Sequence, residues 1–238
     1  MKPANKTKDL LSAIMIALFA ALILRQFVIA AYKIPTGSME KTLLVGDYLL
    51  VNKFVYGAKT PDWVGIPLTQ GKNWSIPTGF NIPWFRLPAI TNPRQNDIMV
   101  FNYPNDPRIE YIKRCIATGG QTVEIKDKMV FVDDFKFPDP PKLVYAYPNI
   151  YVKEYREKGV YQGLGNRDNF GPLQVPGNHY FALGDNRDNS LDSRYWGFVP
   201  PEQIGGKPLI IYLSTNQDEP LYNIFKKIRW ERLGSVVR

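Results

Sequence analysis

One serine in this chain lies in a segment suited to holding a nucleophile. Ser38 belongs to the stretch 34–40, which reads IPTGSME. Proline restricts one backbone angle and glycine permits tight turns, so the pattern predicts a rigid, exposed corner that carries Ser38. Proline, glycine and serine are also common in ordinary connecting segments, and the stretch alone fits that interpretation as well. A serine hydroxyl is a weak nucleophile and needs a neighbouring base.

Histidine and lysine are the candidate bases. His179 is the only histidine, and it begins a β-rich run in which a packed or edge histidine is expected instead of the base of a Ser-His-Asp triad. A lysine can act as base if its pKa falls from about 10.4 to about 8, which requires about 3 kcal/mol of bias against the charged form. Burial among apolar groups supplies such a bias.

Lys113 has the neighbours that such a base requires. If the run 109–117 is a strand, its alternation places Lys113 on a mainly apolar face. That face carries Ile109, Tyr111, Lys113, Cys115 and Ala117, and the other carries Glu110, Ile112, Arg114 and Ile116. The pattern predicts a buried lysine, and the alternative is a lysine that reaches water from a strand edge.

A second lysine lies closer to Ser38 along the chain. Ser38 and Lys41 match S-x-x-K, the nucleophile motif of penicillin-binding proteins and serine β-lactamases. The companion motifs Ser-Asp-Asn and Lys-Thr-Gly do not occur in the sequence. The β-rich pattern also lacks the helical part of that scaffold, so we treat this interpretation as the weaker alternative.

A dense polar cluster at 184–194 reads GDNRDNSLDSR. Its charges nearly cancel, which predicts an internally paired, hydrogen-bonded loop. A calcium loop is the obvious competitor. Counted from Asp185, however, the third position is Arg187, the sixth is Ser190 instead of glycine, and the twelfth is Trp196 instead of glutamate. The pattern therefore excludes that type of calcium site.

The catalytic candidates follow a single membrane-length apolar run. Residues 10–31 would span about 33 Å as a helix, enough to cross a bilayer, and only Arg25 and Gln26 interrupt them. Lysines within residues 1–9 predict a cytoplasmic N-terminus and an extracytoplasmic body. The competing interpretation is a cleavable signal peptide, with these lysines as its charged region.

The rest of the chain predicts a mainly β fold. Short runs rich in β-branched and aromatic residues predict strands at 47–51, 97–103, 109–117, 122–125, 129–132, 179–183 and 209–212. We expect a β-rich core from residues 32–132 and 179–238, with a smaller inserted lobe at 133–178. The segment 58–94, rich in tryptophan and proline, is predicted to be an extended loop, with its tryptophans either at the lipid interface or packed beneath the loop.

Charge and composition restrict the partners and cofactors. The net charge is +8, but the basic residues are dispersed, which favours a surface beside lipid over nucleic-acid binding. A single cysteine, Cys115, excludes an intrachain disulfide, and with one histidine it makes an all-protein zinc site implausible. We expect neither a metal nor a cofactor.

Three motifs together resemble those of bacterial type I signal peptidase, a membrane-bound serine endopeptidase that removes signal peptides from exported proteins. They are PTGSM at 35–39, YIKR at 111–114 and the cluster at 184–194, in the family's order. The resemblance implies a β-rich catalytic core with an inserted smaller domain, exported preproteins as substrates, and small residues at the cleavage point. It also implies that the protein is located in the plasma or inner membrane, beside the protein-export machinery.

The resemblance assigns roles to individual residues. Ser38 would attack the scissile carbonyl, and neutral Lys113 would take its proton. The Ser38 N–H and the Thr36 hydroxyl would stabilise the oxyanion, although Thr36 replaces the serine of many members. Ser190 would orient Lys113, and Asp192 and Arg194 would pair to hold the loop.

One alternative lies outside enzymes altogether. A membrane-anchored β-rich binding module would account for the apolar run, the strands and the basic surface, but it would leave the three motifs unexplained.

Overall fold

The architecture is described from a computed structural model, which covers residues 6–60, 85–220 and 222–238. Three α-helices lie in these ranges: α1 Lys6–Phe27, α2 Ser193–Trp196 and α3 Ile224–Lys227. The strands are β1 Ile29–Lys33, β2 Asp47–Asn52, β3 Ile98–Tyr103, β4 Asp106–Thr118, β5 Thr122–Lys126, β6 Met129–Val132, β7 Phe135–Lys136, β8 Phe170–Gln174, β9 Tyr180–Leu183 and β10 Ile204–Ser214. Most of the tryptophan- and proline-rich loop, with the interfacial role predicted for it, lies outside the described residues.

The N-terminal helix is long and apolar enough to cross a membrane. The segment Thr7–Phe27 has a mean hydropathy of 2.1, and its side chains are not buried against the rest of the chain. The predicted span of residues 10–31 is shifted, because α1 begins at Lys6 and ends at Phe27. Residues Ile29–Lys33 form β1 instead, since they pair with β2 along their whole length.

The fold is mainly β, as predicted. Every strand predicted from the sequence is present, and the first sheet has six strands in the order β1-β2-β10-β3-β4-β9 with antiparallel pairing throughout. Its buried residues include Leu49, Val51, Phe101 and Cys115, each fully inaccessible to solvent. Three strands were not predicted, namely β1, β7 and β8.

A second sheet has four strands in the order β7-β6-β5-β8. The hairpin between β5 and β6 turns at Asp127 and Lys128, which both have positive φ as a two-residue hairpin turn requires. This sheet begins at Thr122, whereas the sequence pattern placed the start of the inserted lobe at residue 133. Two strands of the region assigned to the core thus belong to the smaller sheet.

A buried aspartate connects the C-terminal region to the segment that follows Ser38. The Asp47 carboxylate, fully inaccessible to solvent, accepts hydrogen bonds from Ser214 Oγ at 2.7 Å and from Arg232 Nη2 at 2.6 Å. Arg232 Nη2 also donates to the Thr42 carbonyl at 3.0 Å. Val237 packs in the same core as Met39 and Leu43, so the C-terminal residues support the turn that carries Ser38.

Candidate active site

Ser38 lies in a short 3-10 helix, Gly37–Met39, that follows β1. Met39 is fully buried in the core and anchors this turn. The prediction of an exposed corner is wrong for the Ser38 side chain, which is only 9% exposed. The Ser38 carbonyl accepts a hydrogen bond from the Asn186 backbone N–H at 3.1 Å, so the cluster 184–194 covers the turn.

Lys113 lies directly beside Ser38. It is positioned by β4, where it pairs with Met99 of β3, and its side chain is 3% exposed. Its Nζ is 2.6 Å from Ser38 Oγ, although 75 residues separate the two along the chain. The structure thus brings together the two residues that the sequence pattern selected independently as nucleophile and base.

The surroundings of Lys113 favour its neutral form. Burial lowers its pKa from 10.5 to about 8, and the charges of Asp192 and Asp185 oppose that change only in part. With this pKa, about a tenth of the lysine is neutral at pH 7, hundreds of times more than for an ordinary lysine. The amine can therefore accept a proton from the Ser38 hydroxyl.

The two other candidate bases lie elsewhere. Lys41 is exposed, with a positive φ of 66°, and it forms no hydrogen bond or ion pair within the part of the chain that the structure describes. His179 Nδ1 is 2.9 Å from the Gly177 carbonyl, and its ring contacts Phe198 edge-on. Of the three candidates only Lys113 is within hydrogen-bond distance of Ser38.

Arg114, on the opposite face of β4, is also buried. The sequence pattern placed it on the same face as Glu110, but it is 1% exposed and forms two hydrogen bonds to Asp185, at 2.8 and 2.7 Å. This pairing was missed by sequence reasoning. An arginine on a strand face that also carries Ile112 and Ile116, together with unassigned acids in the cluster 184–194, was the available signal.

Asp192 and Arg194 form the ion pair that was predicted for them. Arg194 Nε and Nη2 each donate to the Asp192 carboxylate at 2.8 Å, and both side chains are at most 2% exposed. Burial alone would raise the pKa of Asp192, but the charge of Arg194 and its hydrogen bonds outweigh burial and hold the pKa below its ordinary value. Arg194 also donates to the carbonyls of Arg167 and Arg187, which fixes the loop.

Ser190 packs against the site without the predicted contact. Its side chain is 6% exposed and close enough to help hold the pKa of Asp192 low. Among the described residues, however, Ser190 Oγ forms no well-aligned hydrogen bond, so the hydrogen bond expected to Lys113 is not formed. A Cβ on Gly184 would lie 2.3 Å from Ser190 Oγ and 2.5 Å from the Ser38 carbonyl, so only glycine fits there.

Thr36 lies at the entrance of the turn that carries Ser38. Its backbone is extended, with φ −132° and ψ 155°, and its exposed side chain does not cap the 3-10 helix. Thr36 lines the same cleft as Ser38 and Lys113. Its hydroxyl is therefore free to face a bound molecule.

The cleft has a volume of about 500 Å³ and two mainly apolar walls. Residues 34–38 form one wall and residues 109–113 of β4 form the other, with Asn186, Asn189 and Leu191 on a third side. β1 is an edge strand, and β9 pairs with β4 only from Arg114 onward. No strand pairs with residues 109–113 on the side where β9 pairs with the rest of β4, an arrangement that accepts an extended peptide. Within 6–60, 85–220 and 222–238, no group of three or more acidic, histidine or cysteine side chains is arranged to hold a metal ion.

A serine beside a buried lysine of lowered pKa, in a cleft of a β-rich domain, places a possible nucleophile within reach of a possible base. The family model described as "Signal peptidase, peptidase S26" matches residues 7–213, and the chain belongs to that family. It is therefore a signal peptidase enzyme, a hydrolase that processes signal peptides.

Individual relatives agree with this assignment. Signal peptidase I of Pseudomonas fluorescens is 35% identical over 222 residues, which cover 83% of this chain and 69% of the relative. Signal peptidase I of Aquifex aeolicus (strain VF5) is 35% identical over 238 residues, which cover 83% of this chain and 80% of the relative. A crystal structure of a signal peptidase I from Enterococcus faecalis V583 matches 49% of this chain and 97% of its own, with 30% identity and a TM-score of 0.37.

Proposed function

We propose that this signal peptidase cleaves preproteins by a Ser-Lys dyad, with Ser38 as nucleophile and Lys113 as general base. The observation that carries the proposal is the 2.6 Å distance between Ser38 Oγ and the Nζ of a lysine whose pKa is lowered to about 8. General-base catalysis requires a base within hydrogen-bond distance of the nucleophile and partly neutral near the working pH. Lys113 meets both requirements.

The reaction then follows in two stages. Neutral Lys113 takes the Ser38 proton as Oγ attacks the scissile carbonyl carbon, and the resulting ammonium passes that proton to the leaving amine as the C–N bond breaks. An acyl-enzyme ester on Ser38 remains. Lys113 next takes a proton from water, the hydroxide adds to the ester, and the proton returns to Ser38 Oγ as the new carboxyl terminus leaves.

The oxyanion that forms in each stage requires hydrogen-bond donors. The Ser38 backbone N–H has no backbone acceptor among the described residues, and the Thr36 hydroxyl lines the cleft beside it. We assign both groups to oxyanion stabilisation. Asp192 and Arg194 act as supports, since their ion pair and its bonds to neighbouring carbonyls hold the loop that packs on Lys113 and Ser38.

The substrate is an extended segment of a preprotein that lies between residues 34–38 and 109–113. Because α1 leads directly into β1, a helix embedded in a bilayer would hold this cleft near the membrane surface, where the end of a signal peptide emerges. We infer a single-pass anchor in the plasma or inner membrane with the catalytic domain outside the cytoplasm. Contacts with lipid and with the protein-export machinery follow from that location.

The mechanism is tested with the full chain in detergent or proteoliposomes and a purified preprotein. We expect kcat/KM to fall at least about 1000-fold in Ser38→Ala and in Lys113→Met, because losses of this size follow the removal of one residue from a catalytic dyad or triad. Lys41→Ala and His179→Ala are matched controls that retain activity, because neither side chain contacts Ser38. Mass spectrometry of the product N-terminus verifies the cut. Full activity in Lys113→Met would refute the dyad.

The membrane placement has its own test. We expect the full chain to stay in the membrane fraction after alkaline carbonate extraction, and its catalytic domain to be digested by protease added outside intact spheroplasts. Extraction into the soluble fraction would contradict the anchor, and protection from protease would contradict the orientation.

A further inference from the structure

A lysine of the smaller sheet is buried against the loop that covers Ser38. Lys128, in the hairpin turn between β5 and β6, is only 8% exposed. Its Nζ donates to the two carboxylate oxygens of Asp188 at 3.1 and 3.0 Å, and to the Tyr147 carbonyl at 2.7 Å. Because Asp188 belongs to the cluster 184–194, this contact joins the smaller sheet to the candidate active site.

The Asp188 carboxylate is fully buried and depends on its neighbours for compensation. Arg167 Nε lies 3.3 Å from Asp188 Oδ1, and the Tyr147 backbone N–H donates to Oδ2 at 2.8 Å. Arg167 lies closer to a second acid, Asp168, at 2.8 Å. Lys128 is therefore the nearer of the two cations to Asp188, and its removal would leave one arginine to compensate two buried acids.

The path from Asp188 to the nucleophile is short. Asp188 lies in the 3-10 helix Arg187–Asn189, which contacts the 3-10 helix that carries Ser38. The preceding residue, Asn186, donates its backbone N–H to the Ser38 carbonyl at 3.1 Å and its Nδ2 to the Gly37 carbonyl at 3.2 Å. A displacement of Asp188 would therefore move two donors that hold the turn of Ser38.

The smaller lobe reaches the same loop at a second point. The Val144 N–H donates to the Asp185 carbonyl at 2.9 Å, and the Val144 carbonyl accepts from the Arg187 N–H at 3.0 Å. The turn of Lys128 also holds this segment, because the Lys128 carbonyl accepts a hydrogen bond from the Tyr145 hydroxyl at 3.0 Å. Lys128 thus binds the loop directly and also binds the segment that supports the loop.

We propose that Lys128 is a positioning residue for Ser38, which acts through Asp188 and Asn186 and so gives the smaller sheet a part in the reaction. This inference rests on the proposed function, because it takes Ser38 as the nucleophile. Lys128 does not line the cleft that holds Ser38 and Lys113. Its effect therefore falls mainly on kcat, since the alignment of the nucleophile limits the chemical step more than the binding of substrate.

The first test is the kinetics of Lys128→Met in the full chain with a purified preprotein. Methionine keeps the length of the side chain and removes the charge, and the positive φ of 70° strains both residues alike. We expect kcat to fall about tenfold while KM changes less than about twofold. Lys126→Met is the control, because it makes the same change on the same hairpin at an exposed pair with Glu124 and should leave kcat unchanged.

A double variant separates position from charge balance. In Lys128→Met/Asp188→Asn no uncompensated acid remains, so the denaturation midpoint should recover toward that of the wild type. The kcat should stay at the level of Lys128→Met, because the contact between the two side chains is still missing. Hydrogen–deuterium exchange of the Asn186 N–H should be faster in both variants than in the wild type.

The outcomes that would overturn the proposal differ from those that would refute the proposed function. Wild-type kcat in Lys128→Met, or recovery of kcat together with the midpoint in the double variant, would show that Lys128 only balances charge. Cleavage by Ser38→Ala would instead refute the proposed function. If Lys128→Met did not fold, the double variant would decide: a kcat about tenfold below wild type at a normal midpoint supports the proposal, and a wild-type kcat overturns it.

Discussion

Arg114 and Asp185 form a buried ion pair beside Ser38 and Lys113. Both side chains are at most 2% exposed, and two hydrogen bonds of 2.8 and 2.7 Å join them. Asp185 also accepts a hydrogen bond from Thr42 Oγ1 at 2.6 Å. One carboxylate therefore connects the strand that carries Lys113, the segment that follows Ser38 and the cluster 184–194. This connection explains how residues from three distant segments keep a common geometry.

Removal of Arg114 should destabilise the whole domain. Arg114→Ala leaves the Asp185 carboxylate buried without its cation, and we expect the free energy of unfolding to fall by about 3–5 kcal/mol. The control is Arg108→Ala, which breaks the exposed pair with Asp106 and should leave the denaturation midpoint unchanged. Chemical denaturation of the full chain in detergent measures both variants. Equal midpoints for the two variants would contradict a structural role for the buried pair.

The activity should depend on pH through Lys113. Its pKa is lowered to about 8, and only the neutral amine accepts the Ser38 proton. We expect kcat/KM to rise about tenfold per pH unit below pH 8 and to level off above it. A pH–rate profile with a signal-peptide substrate measures this directly. A profile without an inflection between pH 7 and pH 9 would show that another group controls the reaction.

The burial of Lys113 should lower the stability of the folded chain. Because its pKa is lower in the folded chain than in the unfolded chain, the unfolded state binds the proton more tightly between about pH 8 and pH 10.5. The contribution of Lys113 to the free energy of unfolding is therefore most unfavourable below pH 8, and it becomes less unfavourable as the pH rises from 8 to 10.5. Lys113→Met should raise the thermal midpoint at pH 7 while it abolishes activity. A lower midpoint would show that the hydrogen bond with Ser38 outweighs the cost of burial.

Thr36 offers a test of the oxyanion assignment. Thr36→Val keeps the shape of the side chain and removes the hydroxyl, so we expect kcat to fall about 100-fold or more with little change in KM. Thr36→Ser restores the donor and should retain most of the activity. Steady-state kinetics separate the two parameters. If Thr36→Val matched the wild type, the second oxyanion donor would have to be another group.

Gly184 should tolerate no side chain. A Cβ there would lie 2.5 Å from the Ser38 carbonyl and 2.3 Å from Ser190 Oγ, closer than real Cβ atoms approach other groups. We expect Gly184→Ala to displace the turn that carries Ser38 and to reduce kcat at least about tenfold. Gly177→Ala is the control, because no atom lies within 4 Å of its Cβ. Similar kinetics for the two variants would mean that the turn adjusts freely.

Features that depend on neighbours along the chain were predicted correctly. The run of β-branched and aromatic residues predicted the strand that carries Lys113, and the Asp192–Arg194 pair lies within one short loop. The resemblance of three motifs to signal peptidases was likewise readable from consecutive residues. The end of α1 was predicted less well, because the apolar stretch at 29–33 suits a helix or a strand, and pairing with β2 selects the strand.

Contacts between distant residues required the folded chain. The approach of Lys113 to Ser38 across 75 residues, and the bonds from Arg232 to Asp47 across 185 residues, depend on how the sheet curves and on the register of its strands. Ser190 shows the same limit, since the resemblance to the family implied a hydrogen bond to Lys113 that its geometry does not form. Residue types and spacing define which groups are able to react. The lowered pKa of Lys113 arises from burial, and burial is a property of the assembled core.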